Sequence, residues 1–232
     1  MCIRDSHINS GLFSPTLIFS IRLTAVSCGT ALLLFLALGL PAALWFSRSR
    51  SLCARAAAFF ITLPLVFPPI ALGYMLLLLL GRGGPLGSAE HYLGLRLVFS
   101  QGAVILSAFV AGLPLFVRPA QAAFQEPGII KLEEASRVLG CGPVKTFFLV
   151  TMPLARRSIF SGLLLAVARA SGEVGITMML GGNIAGRTNT LSLEIFNCVS
   201  RGDFDEATSL CLLLASVSMA IYFVLDRLQK ES

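Results

Sequence analysis

LEEASRVLGCGPVKTFFLVTMP, Leu132 to Pro153, is a charged, glycine-punctuated interruption between two long apolar runs. Leu132, Ala135, Ser136 and Leu139 recur at i, i+3, i+4 and i+7, the repeat of one helix face. Lys131, Glu133, Glu134 and Arg137 fall elsewhere around that helix, and Glu133 with Arg137 forms an i, i+4 pair of favourable sign. Glu126-Pro127-Gly128 breaks the chain ahead of it. Gly140 supplies a left-handed residue to end it, and Pro143 suits the first turn of a second helix. The spacing predicts helix, tight turn, helix. Two uses fit this element: an interfacial helix lying on lipid headgroups, or a short rigid ligand whose small apolar face docks in a groove of another protein.

Outward from this stretch the chain is suited to a bilayer. Apolar residues make up 56%, charged residues 13%, and the mean hydropathy is +0.83, far from a soluble domain. A membrane-spanning helix needs roughly 20 mostly apolar residues. Runs of that length lie around Thr16–Ser47, Ala56–Gly81, Val98–Phe124, Leu154–Leu180 and Thr208–Leu225. The expectation is an all-α polytopic membrane protein of about five spans in one domain over residues 16–228, with the helical loop of residues 131–153 projecting from it. The opening MCIRDS has the sequence of a translated sequencing adapter, so residues 1–10 are set aside, and no signal-peptide cleavage site follows.

The six cysteines are scattered without a CxxC pair and are expected to be small buried hydrophobes for the most part. His7 and His91 have no partner at ligand spacing, so no metal site is expected and no cofactor is called for. Lys and Arg divide unevenly between alternate connections. Arg48, Arg50, Arg55, Arg118, Lys131, Arg137, Lys145, Arg156, Arg157, Arg227 and Lys230 fall on one side, against Arg82, Arg96, Arg187 and Arg201 on the other. The positive-inside rule then puts the first set, and the opening stretch, in the cytoplasm, with the N-terminus outside and the C-terminus inside. The net charge of +6 is accounted for by this topology, and no basic run interleaved with aromatics points to nucleic acid.

Two spans carry features a plain anchor avoids. LPLVFPPI, Leu63–Ile70, holds Pro64, Pro68 and Pro69, each costing on the order of 3 kcal/mol in an uninterrupted helix. The helix there must break or kink, either as a packing feature or beside a water-lined pathway. ARASGEVG, Ala168–Gly175, puts Arg169 and Glu173 in the fourth span, four residues apart and able to neutralise one another. A structural salt bridge and a gate both fit. Gly172 and Gly175 would let another backbone come close. Between the second and third spans, GRGGPLG lacks the lysine of a phosphate-binding loop and reads as a turn.

Glu134-Ala135-Ser136, three residues, Gly140, nine residues, Val150, one residue, Met152-Pro153 resembles the EAA loop of ABC importer permeases, with Ser, Val and Met as mild departures. The resemblance implies that the loop is a coupling helix gripped by a cytoplasmic ATPase subunit. It assigns that role to Glu133, Glu134, Ala135, Ser136, Gly140 and Pro153, with Glu134, Ala135 and Gly140 as contact or shape residues. LPLVFPPIALGY, KLEEASRVLG, ARASGEVG and GGNIAGRTNTL, in that order, resemble the permease subunit of a molybdate importer from about Arg22 to Leu228. Sulfate and tungstate permeases are close relatives of that group.

The likeness implies a homodimer in the bacterial cytoplasmic membrane, an extracytoplasmic oxyanion-binding protein, and no catalysis by this chain. Pro64, Pro68, Pro69, Arg169, Gly172, Glu173 and Gly175 are then pathway or gate residues. Asn183, Arg187 and Thr188, in the outer loop, serve docking or entry, although the same residues would also suit an ordinary solvated loop. A channel or secondary transporter uses polar and broken helices too. An intramembrane enzyme lacks its catalytic set, since no expected span holds a histidine.

Overall fold

The computed structural model describes residues 15–87 and 98–230. Residues 1–10, with His7, and the loop residues His91 and Arg96 lie outside them. Among the described residues there is no strand. The helices are α1 (Pro15–Arg48), α2 (Leu52–Val66), α3 (Pro69–Leu80), α4 (Gln101–Phe124), α5 (Pro127–Val138), α6 (Pro143–Ser171), α7 (Gly175–Gly181), α8 (Leu191–Arg201) and α9 (Phe204–Lys230). By length and apolarity α1, α4 and α6 are each sufficient to cross a membrane, while α2 and α3 are apolar but shorter. The 27-residue α9 covers the expected last span.

Local chemistry sets most boundaries. Ser51 caps α2, its Oγ accepting from Ala54 N at 3.2 Å. The second expected span is two helices: Phe67 is extended (ψ 143°), as the residue before a proline tends to be, and α3 restarts at Pro69. Pro64 is carried inside α2. After α3, Gly81–Gly87 is a turn, with Gly84 N donating to Gly81 O at 2.8 Å. The fourth expected span is corrected. Helix α6 stops at Ser171 and the chain resumes as α7 at Gly175, so Gly172 and Glu173 occupy a non-helical link and not a helix middle. The helical i, i+4 relation assumed between Arg169 and Glu173 therefore does not run through this segment.

Two segments are wound as π-helix, Phe35–Gly39 within α1 and Phe147–Thr151 within α6. Each is followed at the same offset by a proline, Pro41 and Pro153. A proline inside a helix has no N–H and presses on the carbonyl four residues back. The wider turn relieves this, with Leu40 N–H reaching Phe35 O and Met152 N–H reaching Phe147 O.

The described residues gather into two compact units. One holds the described parts of Met1–Gly29, Pro69–Ala108 and Ser171–Ala220. Its buried clusters are Leu17, Leu191, Cys198, Ala207 and Leu210, and Leu80, Ala103 and Leu180. The other holds the described parts of Thr30–Pro68, Phe109–Ala170 and Ile221–Ser232. There Phe35 stacks on Phe109 and Phe116, with ring centroids 5.5 and 6.0 Å away. A Cβ on Gly112 would lie 2.5 Å from the Phe35 ring, and one on Gly39 would lie 2.7 Å from that of Phe116. The π-turn of α1 thus seats against α4 through paired Phe-over-Gly contacts. The expectation for cysteine is corrected: of the five described, only Cys198 is buried, while Cys53 and Cys211 are exposed, and all five are free thiols. Exposed Phe59, Phe60 and Val66 suit an apolar surrounding.

Candidate functional site

The loop of residues 131–153 folds as predicted in outline, with its first helix beginning earlier, at Pro127. Gly140 has φ +83°; its N–H reaches Arg137 O at 2.9 Å, and Cys141 N–H reaches Ser136 O at 3.1 Å. That pair of bonds is the glycine-ended helix stop, and Pro143 opens α6 three residues after Gly140. No heavy atom stands within 4 Å of where a Gly140 Cβ would be, so glycine is needed for its backbone angle and not for space.

One sequence expectation for α5 is corrected, the pairing of Glu133 with Arg137, and of the apolar repeat only Ser136 turns inward. The inward face is Ile129, Glu133 and Ser136, whereas Leu132, Val138 and Leu139 face outward, the last two 87% and 83% exposed. Glu133 does not take Arg137 as its partner. It is 3% exposed, and both its oxygens accept from Arg48 Nη2 at the end of α1, Oε2 at 2.5 Å. Thr151 Oγ1, in the π-turn of α6, donates to Glu133 Oε1 at 2.5 Å. Ser136 Oγ and Thr146 Oγ1 are 3.0 Å apart.

Glu133 and Ser136 are therefore spent on the chain's own body, because a buried carboxylate requires charge and hydrogen-bond partners. The outward side carries exposed Lys131 and Arg137 alongside Leu132, Val138 and Leu139, with Val144, Phe148 and Leu149 exposed beyond it. Glu134 and Ala135 are exposed with them. An open cavity of about 400 Å³ lies beside the Arg48–Glu133 pair, bordered also by Leu44, Arg137 and Phe147. Pro153, the last motif residue, is exposed, and its place in the chain accounts for the π-turn that presents Thr151.

The other unit brings two of the singled-out stretches together. A Cβ on Gly175 would fall 2.8 Å from Pro69 Cβ and 3.0 Å from Ile70 N. On the facing side, one on Gly73 would fall 2.9 Å from Ile176 Cα. Helices α3 and α7 meet with almost no side chain between them, at the ends where both spans are broken. Buried Glu173 Oε1 accepts from Ile176 N at 2.7 Å, so its carboxylate meets an N–H at the start of α7.

The residues expected to serve docking or entry divide by burial. Asn183, at φ 48°, exchanges amide hydrogen bonds with Asn197 at 2.7 and 3.3 Å. Thr188 is fully buried, its Oγ1 accepting from Ile184 N at 2.9 Å, and so it shapes the loop from inside. Arg187 is exposed beside exposed Ile184. Below the loop, Thr190 caps α8 and Leu191 N donates to Thr24 Oγ1 at 2.9 Å. Burial, and after it the Glu206 carboxylate, push the Cys198 thiol above its usual range. Among the described residues no group of three or more His, Cys, Asp or Glu side chains is arranged to hold a metal.

Described residues that are all helical, with apolar spans broken at proline and glycine and a helical elbow whose outer side is uncovered, have the construction of a transporter's membrane-spanning subunit. The chain belongs to the family of binding-protein-dependent transport system inner membrane components, which it matches over residues 35–230. It is 37% identical over 207 residues to the molybdenum transport system permease protein ModB of Azotobacter vinelandii, covering 89% of this chain and 91% of that one. It is 33% identical over 210 residues to the probable transport system permease protein NifC of Clostridium pasteurianum, covering 90% and 73%.

Among solved structures, a bacterial ABC transporter involved in import of the acidic polysaccharide alginate aligns with a TM-score of 0.75 at 18% identity, covering 95% of this chain and 81% of that one. The MetNI methionine ABC transporter aligns at 0.69 and 18%, covering 93% and 95%. The chain is thus a multi-pass permease subunit of an ABC importer, and ATP hydrolysis belongs to a separate subunit.

Proposed function

We propose that this permease carries molybdate, a tetrahedral dianion, into the cytoplasm, with tungstate and sulfate as the alternatives within the same anion class. The observation that carries the coupling half of this reading is the anchoring of α5: Glu133 is bound inward to Arg48 and Thr151 while Val138 and Leu139 stand outward. A helix held so firmly on one side, with apolar Leu132 and Leu139 and charged Lys131, Glu134 and Arg137 exposed together on the other, suits a groove of an ATPase that offers both apolar and polar contacts better than a lipid surface. The names of the relatives, molybdenum permeases at up to 37% identity, support the cargo.

The Arg48–Glu133 contact also supports the orientation, since the end of α1 and the elbow, both in the arginine-rich set, lie on the same face. The N-terminus would then be outside and the C-terminus in the cytoplasm. Two copies would enclose one pathway, with Pro64, Pro68, Pro69, Arg169, Gly172, Glu173 and Gly175 at its gate, and an external oxyanion-binding protein would dock near Asn183 and Arg187. Selectivity would reside mainly in that binding protein, because a pathway that holds a dianion tightly cannot release it.

The test is ATP-driven uptake by the reconstituted importer with labelled molybdate, competed by tungstate and sulfate. Competition in which sulfate outranks molybdate would reassign the cargo, and uptake independent of the ATPase would remove the importer reading. A related expectation concerns Gly140→Val. A β-branched residue at φ +83° is strained by about 1–2 kcal/mol with nothing to clash against, so the elbow angle should change while the protein still inserts. ATPase association and uptake should both drop, and Gly140→Asn, which tolerates that backbone angle, should keep most of both.

A further inference from the structure

We propose that Arg118 is an anion-contact residue at the cytoplasmic end of the translocation pathway, where its unneutralised guanidinium meets the oxyanion as it leaves; this rests on the importer reading above. Arg118 lies within the apolar helix α4, six residues before its end at Phe124, roughly 9 Å along the axis. Its neighbours Phe116, Val117 and Ala120 are buried, and Arg118 itself is exposed. Its guanidinium is held across to α2. Nε and Nη2 donate to Thr62 Oγ1 at 3.1 and 2.5 Å, and Nη1 donates to Gln121 Oε1 at 3.4 Å. The Thr62 hydroxyl gives its own hydrogen to Ala58 O at 2.6 Å, which leaves its lone pairs for the arginine.

Each of these partners is neutral. Among the described residues no carboxylate bonds Arg118, so the side chain is oriented while its full charge remains. Arg48 in the same unit makes the contrast, since its charge is cancelled by Glu133. An arginine near the cytoplasmic end of an apolar span, held by neutral partners alone, keeps its charge where an ion path would open, and ionisable residues within spans mark such paths. The position agrees. Thr62 stands two residues before Pro64 and five before the break at Phe67, where backbone opened by prolines is tolerated if it lines a water-filled space. A fixed guanidinium offers a dianion two donors and attraction without enclosing it, which suits a contact that must bind and release.

The test uses the complete importer in proteoliposomes with ATP and labelled molybdate, and compares Arg118→Gln, Arg118→Lys and Thr62→Val. Co-purification of each variant with the ATPase reports that it is folded. Arg118→Gln should lower initial uptake by about tenfold or more, the scale of one lost charge-assisted contact. Arg118→Lys should recover part of it by keeping the charge. Thr62→Val should give an intermediate loss, because the charge stays but its aim is lost. Uptake by a folded Arg118→Gln protein at the wild-type rate would overturn the proposal. So would a defect that appears only in vesicles containing phosphatidylglycerol, since the guanidinium would then be serving a lipid headgroup. Failure of the importer reading looks different: wild-type uptake would not require the ATPase, and the proposal would fall with it.

Discussion

Arg48→Ala is expected to destabilise the permease by about 3–5 kcal/mol, because it leaves the Glu133 carboxylate buried without its counter-ion. The two partners are unequal: the Glu133 side chain is 4% exposed and that of Arg48 36%. The carboxylate therefore carries most of the desolvation, and Glu133→Ala, which strands only a cation already open to water, should cost less than Arg48→Ala. Replacing both by leucine should return most of the stability, since exchange of a buried pair for apolar residues is often neutral. A double-mutant cycle on unfolding in detergent measures this directly. A coupling energy near zero would remove the pair as the anchor of α5.

The same cycle separates anchoring from docking. Thr151→Val deletes one donor to Glu133 and leaves the ion pair, so it should cost about 1–3 kcal/mol, the penalty for an unmet hydrogen bond to a buried group. Leu139→Ser, on the outward face at 83% exposure, should leave stability nearly unchanged and weaken ATPase association instead. The two faces of one helix would thereby report different quantities.

Much of this was legible beforehand, and the exceptions have physical reasons. Hydropathy gave the five apolar regions, and the chemistry of Gly140 and Pro143 gave the turn. The direction of the α5 face was not legible. A helical wheel tells which residues lie together, but Glu133 points inward because Arg48, 85 residues earlier, ends a helix beside it. Of the apolar repeat, Leu132, Ala135 and Leu139 are uncovered in this chain and only Ser136 turns inward beside Glu133. The unbroken fourth span was an error of the same kind, since hydropathy averaged over a window passes across the Gly172–Val174 link without registering it. The π-turns had a usable signal in Leu40-Pro41 and Met152-Pro153, each a proline set well inside an apolar helix. Pro153 thus has a definite task within the loop motif, which is to open the turn that aims Thr151 at Glu133.

The second large effect is expected where α3 and α7 touch. Gly175→Val places a Cβ 2.8 Å from the ring carbon Pro69 Cβ, closer than real Cβ atoms come, and 3.0 and 3.1 Å from Ile70 N and the Pro69 carbonyl carbon, where the backbone must give by a few tenths of an ångström. No rotamer change relieves this, so a helix must move, at about 1–3 kcal/mol or more. Gly73→Ala meets Ile176 Cα at 2.9 Å and Met179 Cβ at 2.9 Å from the opposite side and should act alike. Because one separation of the helices accommodates both new methyl groups, Gly73→Ala with Gly175→Ala should cost clearly less than the sum of the single changes. Gly142→Ala, which has open space around it, is the control and should fall within about 0.5 kcal/mol of wild type. Glu173 makes transport more sensitive than stability at this contact, since its Oε1 holds the first turn of α7 through Ile176 N and has to follow when that turn is displaced. Uptake should accordingly fall in Gly175→Ala even where the protein remains folded and bound to its ATPase, and unimpaired uptake in that variant would mean that α3 and α7 separate freely and the glycine contact takes no part in gating.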